Sequence, residues 1–499
     1  MDFENNLRPG QNGSGRNARG RTRLLRPDPA RIKPRTPVDP EAFVKKSERT
    51  TPREGHRIGK TDGKSPGLLR AGNKTRKPMT TEQIGWEEIT HYAGFDWAKD
   101  HHDVVVVDRQ GKVIKDLSFE HSAEGWSKWK EMVACYGKLA VAIETNQGAA
   151  IEQLLESGVA VYPVNPKSAK RYRERKAPSG TKTDYLDAWS LGDALRVDGQ
   201  GWRALKPLDP LIHELRLLCR DEVELIGKRT EMVNQIQAAL HEYYPAALEA
   251  FEDWTLPASW SFVQQFPTPE ALKKAGRRQW EKFLHVHRLW RPGSVEKRLQ
   301  VFARAHEFCG SQPVTRAKSR LALTLAKLLQ ALEKQLQDYR KEIERLFGEH
   351  PDHDLFGSLP GAGGKLAPRL LSEMGSDRSL FESAQALQCY VGTAPVSFES
   401  GQLRKVNVRW MCNKSFRHAV HLWADLSRKG SSWAQVYYQQ MRARGKSHAS
   451  ALRCLGQRWL KILWKMWQDR TRYNPEFHTR NQLKHGSWIL QIKPVKAGE

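Results

Sequence analysis

The sequence predicts an α/β domain built on a mixed sheet, followed by a mainly helical remainder. Three observations carry that expectation. Short β-rich runs alternate with helical patterns between about residues 91 and 205, as in strands joined by crossover helices. From Leu211 apolar residues recur at the spacing of long amphipathic helices. From Asp352 to about Trp467 the pattern stays helical around one glycine-rich turn.

Residues 1–88 are rich in Arg, Lys, Pro, Gly, Thr and Ser and nearly free of aromatics. They bury no core and read as a disordered basic tail, either a solvated leader or an arm adding nonspecific phosphate contacts. Order begins at His91. The run HYAGFDWAKDHHDVVVVDRQGKVIKDLSFE, with a turn at Arg109-Gln110-Gly111, reads as a three-stranded meander. A helix over EGWSKWKEMVACYG, a strand LAVAIE, a helix IEQLLESG, a strand VAVYPVN and a helix from Lys167 complete a domain over 89–205.

Residues 206–350 form the next segment. Ile212, Cys219, Ile226, Val233 and Leu240 recur every seven residues, flanked by Leu218, Leu225 and Met232, which predicts one long helix. A second, over 316–347, carries Leu325, Leu328, Leu332, Leu336, Tyr339, Ile343 and Leu346 on one face. The two pair as an antiparallel hairpin or serve as a dimer coiled coil. Between them, Trp254, Trp260, Trp280 and Trp290 mark a small helical insertion, where they serve as core rather than as base-stacking platforms. A third domain spans 351–475, and 476–499 is a polar tail.

The chain holds 82 Lys and Arg against 56 Asp and Glu, a net charge of +26. A polyanion is the expected partner. No apolar run approaches the roughly 20 residues needed to span a bilayer, and the opening MDFENNLRPG has no apolar core of a secretory signal. The expectation is a cytoplasmic, nucleoid-associated protein. The cysteines at 135, 219, 309, 389, 412 and 454 form no CxxC pair, so they read as reduced, mostly buried thiols rather than a zinc or redox site.

Four carboxylates stand out. Asp96 ends the first apolar strand and Glu144 ends LAVAIE; if these strands are neighbours, both acids meet at one sheet end. Asp184 and Asp187, in GTKTDYLDAWSLGDALR, lie three apart on one face of a helix start. A helix packed across that sheet end would gather four like charges, which are unfavourable together without a cation. Two Mg²⁺ ions about 3.5–4 Å apart would neutralise them and assist phosphodiester cleavage. Taken singly, each acid has a plainer reading as an N-cap or surface charge.

As a set, GFDWAKD, AIETNQG, PVNPKSAKRY and TKTDYLDAWSL resemble, in order and spacing, the DEDD-type insertion-sequence transposases of the IS one-ten family. The resemblance implies a RuvC-like RNase H fold and Asp96, Glu144, Asp184 and Asp187 as metal ligands.

Downstream, LFGSLPGAGGKLAPRLLSEMG holds the Pro-Gly-x-Gly turn of a helix-hairpin-helix. There Gly361 and Gly363, with Lys365 beside them, let backbone N–H groups approach a phosphate. A bare connection between helices is the plainer alternative. The stretch ALQCYVGTAPVSFESGQLRKVNVRWMCNKSFRHAVHLWA resembles the same family's C-terminal serine domain, with Ser400 on the serine-glycine position that supplies the nucleophile. Arg404, Lys405, Arg409 and Arg417 follow to balance charge on phosphorus. Ser397 and Ser415 compete for the role. The glycine-rich step that many members carry after the serine-glycine pair is missing.

The resemblance implies a transposase or recombinase guided by a bridge RNA, working on donor and target DNA as a homodimer that pairs into a tetramer. Two alternatives share its features: a RuvC-like, metal-dependent junction-resolving nuclease, and a non-catalytic nucleic-acid-binding protein.

Overall fold

The computed structural model describes residues 85–486. The expected basic tail, as far as residue 84, and the end of the expected polar tail, 487–499, lie outside the described residues.

The meander is β1 (His91–Trp97), β2 (His101–Asp108) and β3 (Val113–Glu120). Its second turn closes where the Asp108 carboxylate accepts from the backbone N–H groups of Gln110 and Lys112, both at 2.9 Å, and Gly111 takes φ +86°. Then come α1 (Ala123–Ala134), β4 (Leu139–Ile143), α2 (Ala149–Glu156), β5 (Ala160–Pro163), α3 (Pro166–Lys176) and α4 (Asp184–Asp198). The strands form one five-stranded sheet in the order β3-β2-β1-β4-β5. The β1–β2 and β2–β3 pairs are antiparallel, and β1–β4 and β4–β5 are parallel. The expected mixed sheet is therefore present.

Side chains alternate between two cores. Ala93, Phe95, Val104, Val141 and Ile143 pack on Trp126, Trp129 and Leu154 from α1 and α2. Tyr92, Val105, Ala140 and Ala142 pack on Ala188, Leu191 and Leu195 of α4. Covered on both faces, β4 is buried throughout. One contact places α4. A Cβ at Gly94 would stand 1.7 Å from the Ala188 carbonyl oxygen and 2.5 Å from the Gly192 nitrogen, so the helix backbone rests directly on β1.

The two long helices are α5 (Pro210–Tyr243) and α10 (Gln312–Glu349), separated by α6 (Pro245–Ala250), α7 (Pro257–Gln265), α8 (Pro269–Val286) and α9 (Val295–Arg304). Ion pairs joining Glu222 to Arg340, Arg229 to Glu333 and Glu242 to Lys318 run in opposite directions along them. Of the two expected arrangements, the chain adopts the antiparallel hairpin. In the insertion Trp254, Trp260 and Trp280 are buried, and each indole N–H donates to a backbone carbonyl. They are core, as expected. Trp290 departs from that expectation: it is 39% exposed and stacks on His285 at 4.2 Å.

The C-terminal region holds α11 (His353–Gly357), α12 (Gly363–Met374), α13 (Ala384–Val391), β6 (Val396–Ser400), β7 (Leu403–Asn407), α14 (Lys414–Gly430), α15 (Ser432–Ala443), α16 (His448–Asp469) and α17 (Pro475–Lys484). It is mostly helical, but β6 and β7 form a two-stranded sheet. The expected polar tail from 476 is corrected in part. Asn474 caps Phe477 at 2.9 Å and Pro475 opens a further helix. The cysteine expectation is also corrected. All six thiols are free, but only Cys219 is buried, Cys135 is exposed and the other four are half-buried. Cys135 lies at the end of α1, and Cys309 and Cys412 lie in connecting segments. Among the described residues no helix is long and apolar enough to cross a membrane.

Candidate active site

The parallel β1–β4 ladder ends on Phe95 beside Ile143. Asp96, still within β1, and Glu144, just past β4, follow at the same sheet end. On the other side of β1, the antiparallel register sets Asp96 opposite Asp103 of β2, and such pairs share a face. Helix α4 brings the rest. Thr183 caps it through Leu186 at 3.1 Å, and its contact with Gly94 carries Asp184 and Asp187, in its first turn, to the same sheet end.

The electrostatics show the crowding. The Asp96 carboxyl is pushed up to about 6, first by burial and then by Asp187, Asp184, Glu144 and Asp103. Burial also raises Glu144, with Asp187 adding to it while Arg173 and Lys182 oppose. Glu144, Asp184 and Asp187 thus all act on Asp96, and Asp187 acts on Glu144 as well. Two cations lean on Asp187: the Arg173 guanidinium at 2.5 Å and the Lys182 ammonium at 4.0 Å.

Sequence reasoning missed three members of this corner. His101 Nε2 stands 3.6 Å from Asp103 and 3.8 Å from Asp184, and one ligand atom from each of these residues lies within 4.8 Å of the others. Arg173 is the third. The signal for Asp103 lay in HHDVVVV, whose alternation puts it on the face of Asp96 once the register is known. Carboxylate oxygens with one imidazole suit a hard divalent cation such as Mg²⁺ or Mn²⁺. The donor set fits such an ion.

Ser400 occupies a different setting. It ends β6 and pairs with Leu403 across the turn Gly401-Gln402, where Gly401 has φ +55°. Both strands are exposed along their whole length, so Ser400 sits at the tip of a protruding hairpin. Ser397 lies in mid-strand opposite Val406, and Ser415 lies in the first turn of α14. Arg404 faces Glu399 at 3.7 Å, and Lys405 stands opposite Phe398. Arg409 donates to the Ala394 carbonyl, and its own carbonyl accepts from Arg417 at 3.2 Å. Among the described residues no hydrogen bond or ion pair joins this hairpin to the acidic sheet end. A polar chain does link the acidic end to the base of α14. Arg220 donates to Gln147, in the loop after Glu144, and to Glu373, which also accepts from Asn413, the N-cap of α14.

The glycine-rich turn joins α11 to α12. A Cβ at Gly361, whose φ is +76°, would meet the backbone of Leu426 and Ser427 at 2.6 Å, so this glycine lets the turn seat on α14. Gly363 and Lys365 face solvent.

An acid-lined sheet end in a strongly basic chain suits work on nucleic-acid phosphates. The comparisons with known proteins narrow that class. A family described as Transposase, the DEDD group of IS110, matches residues 93–245. The Transposase IS116/IS110/IS902 family matches residues 353–439. The "Mini-circle putative transposase for IS117" of Streptomyces coelicolor is 33% identical over 403 residues, covering 78% of this chain and 97% of the relative. An "Insertion element IS110 uncharacterized 43.6 kDa protein" of the same organism is 27% identical, covering 78% and 96%. An "Insertion element IS900 uncharacterized 42 kDa protein" of Mycobacterium paratuberculosis is 26% identical, covering 77% and 97%. The chain belongs to the IS116/IS110/IS902 family of transposases, and is a DNA transposase.

Proposed function

We propose that this transposase cuts and rejoins DNA by metal-assisted serine transesterification, with Asp96, Glu144, Asp184 and Asp187 as the metal ligands and Ser400 as the nucleophile. The convergence of the four carboxylates at one sheet end carries the reading, since such a cluster is unfavourable until a cation neutralises it. When bound, divalent cations, Mg²⁺ and two in number, supply charge neutralisation at the attacked phosphate. The strand order β3-β2-β1-β4-β5 supports a RuvC-like RNase H domain over 89–205. The coiled-coil segment and its insertion over 206–350 and a serine domain with a helix-hairpin-helix over 351–475 complete the organisation.

The hairpin presents the Ser400 hydroxyl to an incoming phosphodiester. Its oxygen bonds to phosphorus, the strand-end oxygen leaves with a proton, and a phosphoserine keeps the bond energy for a later strand-end hydroxyl to reverse the step. Arg404, Lys405, Arg409 and Arg417 offset charge on phosphorus. Arg173, paired with Asp187, would orient that carboxylate at the metal site. Gly363 and Lys365, with the turn that Gly361 seats on α14, contact duplex backbone. The surplus of positive charge fits a bridge RNA held alongside donor and target DNA in a tetramer of paired dimers.

Strand cleavage by Asp96→Ala, Glu144→Ala and Asp187→Ala proteins tests the metal centre. Each should lose cleavage yet keep nucleic-acid binding; wild-type cleavage in excess EDTA would contradict it. Sequencing copurified RNA tests the guide. One species with uniform ends supports it, and bulk cellular RNA opposes it.

A further inference from the structure

Beside the serine hairpin, an open cleft of about 370 Å³ lies between α14 and α16. Its floor forms where the helices come close, a Cβ at Gly456 falling 2.9 Å from the Val420 side chain. Its walls are cationic. Lys414, Arg417, His418 and His421 recur at helical spacing along one face of α14, and Arg453 contributes from α16. Among the described residues no carboxylate lines the cleft. Asp425, one turn beyond His421, is engaged by Arg428. At the mouth, Trp410 is 73% exposed, with the Arg417 guanidinium 6.0 Å from its ring centre.

Uncompensated cations around a cavity call for an anion, and a bare aromatic ring at the rim calls for a flat partner. The volume exceeds what a lone phosphate fills and falls within the range of small-molecule sites. A duplex keeps its bases stacked on one another, whereas a single strand offers a free base face.

We propose that this cleft holds one nucleotide step of single-stranded DNA, the phosphodiester between Lys414, Arg417 and Arg453 and the base stacked on Trp410. The inference rests on the chain's action on DNA and not on the role of Ser400. The two histidines tune it. His418 is lowered by burial and by Arg369. His421 is lowered by burial first and then by His448, Arg453 and His418, with Asp425 opposing. Both are thus harder to protonate in the free cleft than an ordinary imidazole, and an entering phosphate favours their protonation. Affinity for the strand therefore rises as pH falls.

The test uses the full chain, a labelled oligo-deoxythymidine, the matching oligouridine and a duplex of equal length, read by fluorescence anisotropy across a salt series. Trp410→Ala should weaken single-stranded DNA about 5- to 100-fold, the range of one base–aromatic stack, and leave duplex affinity and salt slope unchanged. Arg453→Gln should reduce the slope of log K against log salt by about 0.7. Because Trp410 is exposed and Arg453 lies at the cleft, both variants should keep the wild-type thermal midpoint. A strand bearing 5-iododeoxyuridine should photocrosslink to the peptide that contains Trp410. An unchanged single-strand affinity, an equal loss for duplex, a loss confined to oligouridine or a crosslink mapping elsewhere would each overturn the proposal.

Discussion

Asp103 stands directly across the β1–β2 ladder from Asp96. Its carboxylate raises that of Asp96 together with Asp187, Asp184 and Glu144. A fifth acid therefore shares the corner, and His101 ties it to Asp184. Without a divalent cation this corner is a source of instability.

That instability is measurable. The Asp96 carboxyl moves from 3.8 in the unfolded chain to about 6 in the fold. The folded state holds the extra proton between those values, so stability from this group is present at low pH and lost as pH rises through about 6. At pH 7.5 in EDTA, Asp96→Asn should raise the thermal midpoint by roughly 1–2 °C. Added Mg²⁺ should stabilise the wild type and not the variant, as read by calorimetry. A variant less stable than wild type in EDTA would contradict this.

Gly94→Ala tests how α4 is placed. The new methyl would occupy the position of the Ala188 carbonyl, so β1 and α4 must part. A loss of about 3 kcal/mol is expected, at the upper end for overpacking. Denaturant unfolding gives the loss, and Mg²⁺ titration should show weakened binding, because Asp184 and Asp187 ride on the displaced helix.

Arg220 spans two regions. It donates to Glu373 at 2.7 and 2.9 Å and to Gln147 at 2.7 Å. The Glu373 side chain is only 4% exposed. Arg220→Ala leaves that buried charge with the Asn413 amide and the nearby Arg216 and should cost about 3 kcal/mol, the lower end for a broken buried pair. Adding Glu373→Gln should recover much of the loss. A double-mutant cycle checks this, and strictly additive losses would mean that the pair is uncoupled.

The acidic site was legible because its members mark element boundaries. Asp96 and Glu144 each follow an apolar run, and Thr183 to Asp187 spells a helix start. That the two strands adjoin was not legible, since pairing is set by tertiary packing; it became fact in the Phe95–Ile143 register. Asp103 escaped notice because its face depends on a different register, that of β1 with β2, which sets it opposite Asp96. The β6–β7 hairpin escaped because neither strand has a buried side. Val396-Ser397-Phe398-Glu399 does alternate, but the pattern lasts four residues and Leu403 to Asn407 does not continue it. Trp290 resembles its buried neighbours in composition, and only the path of the chain after α8 leaves it outside.

Covalent capture on DNA tests the account's central claim most directly. The substrate is a labelled duplex with a nick near the cleavage site, so that the released strand diffuses away and the phosphoserine persists. The wild-type protein should become labelled in Mg²⁺, and Ser400→Ala and Asp187→Ala should not. Labelling that persists in Ser400→Ala and vanishes in Ser397→Ala would move the nucleophile to mid-strand. Free cleaved ends from Ser400→Ala at the wild-type rate would contradict the account, and would assign the attack to water in a resolvase-like nuclease.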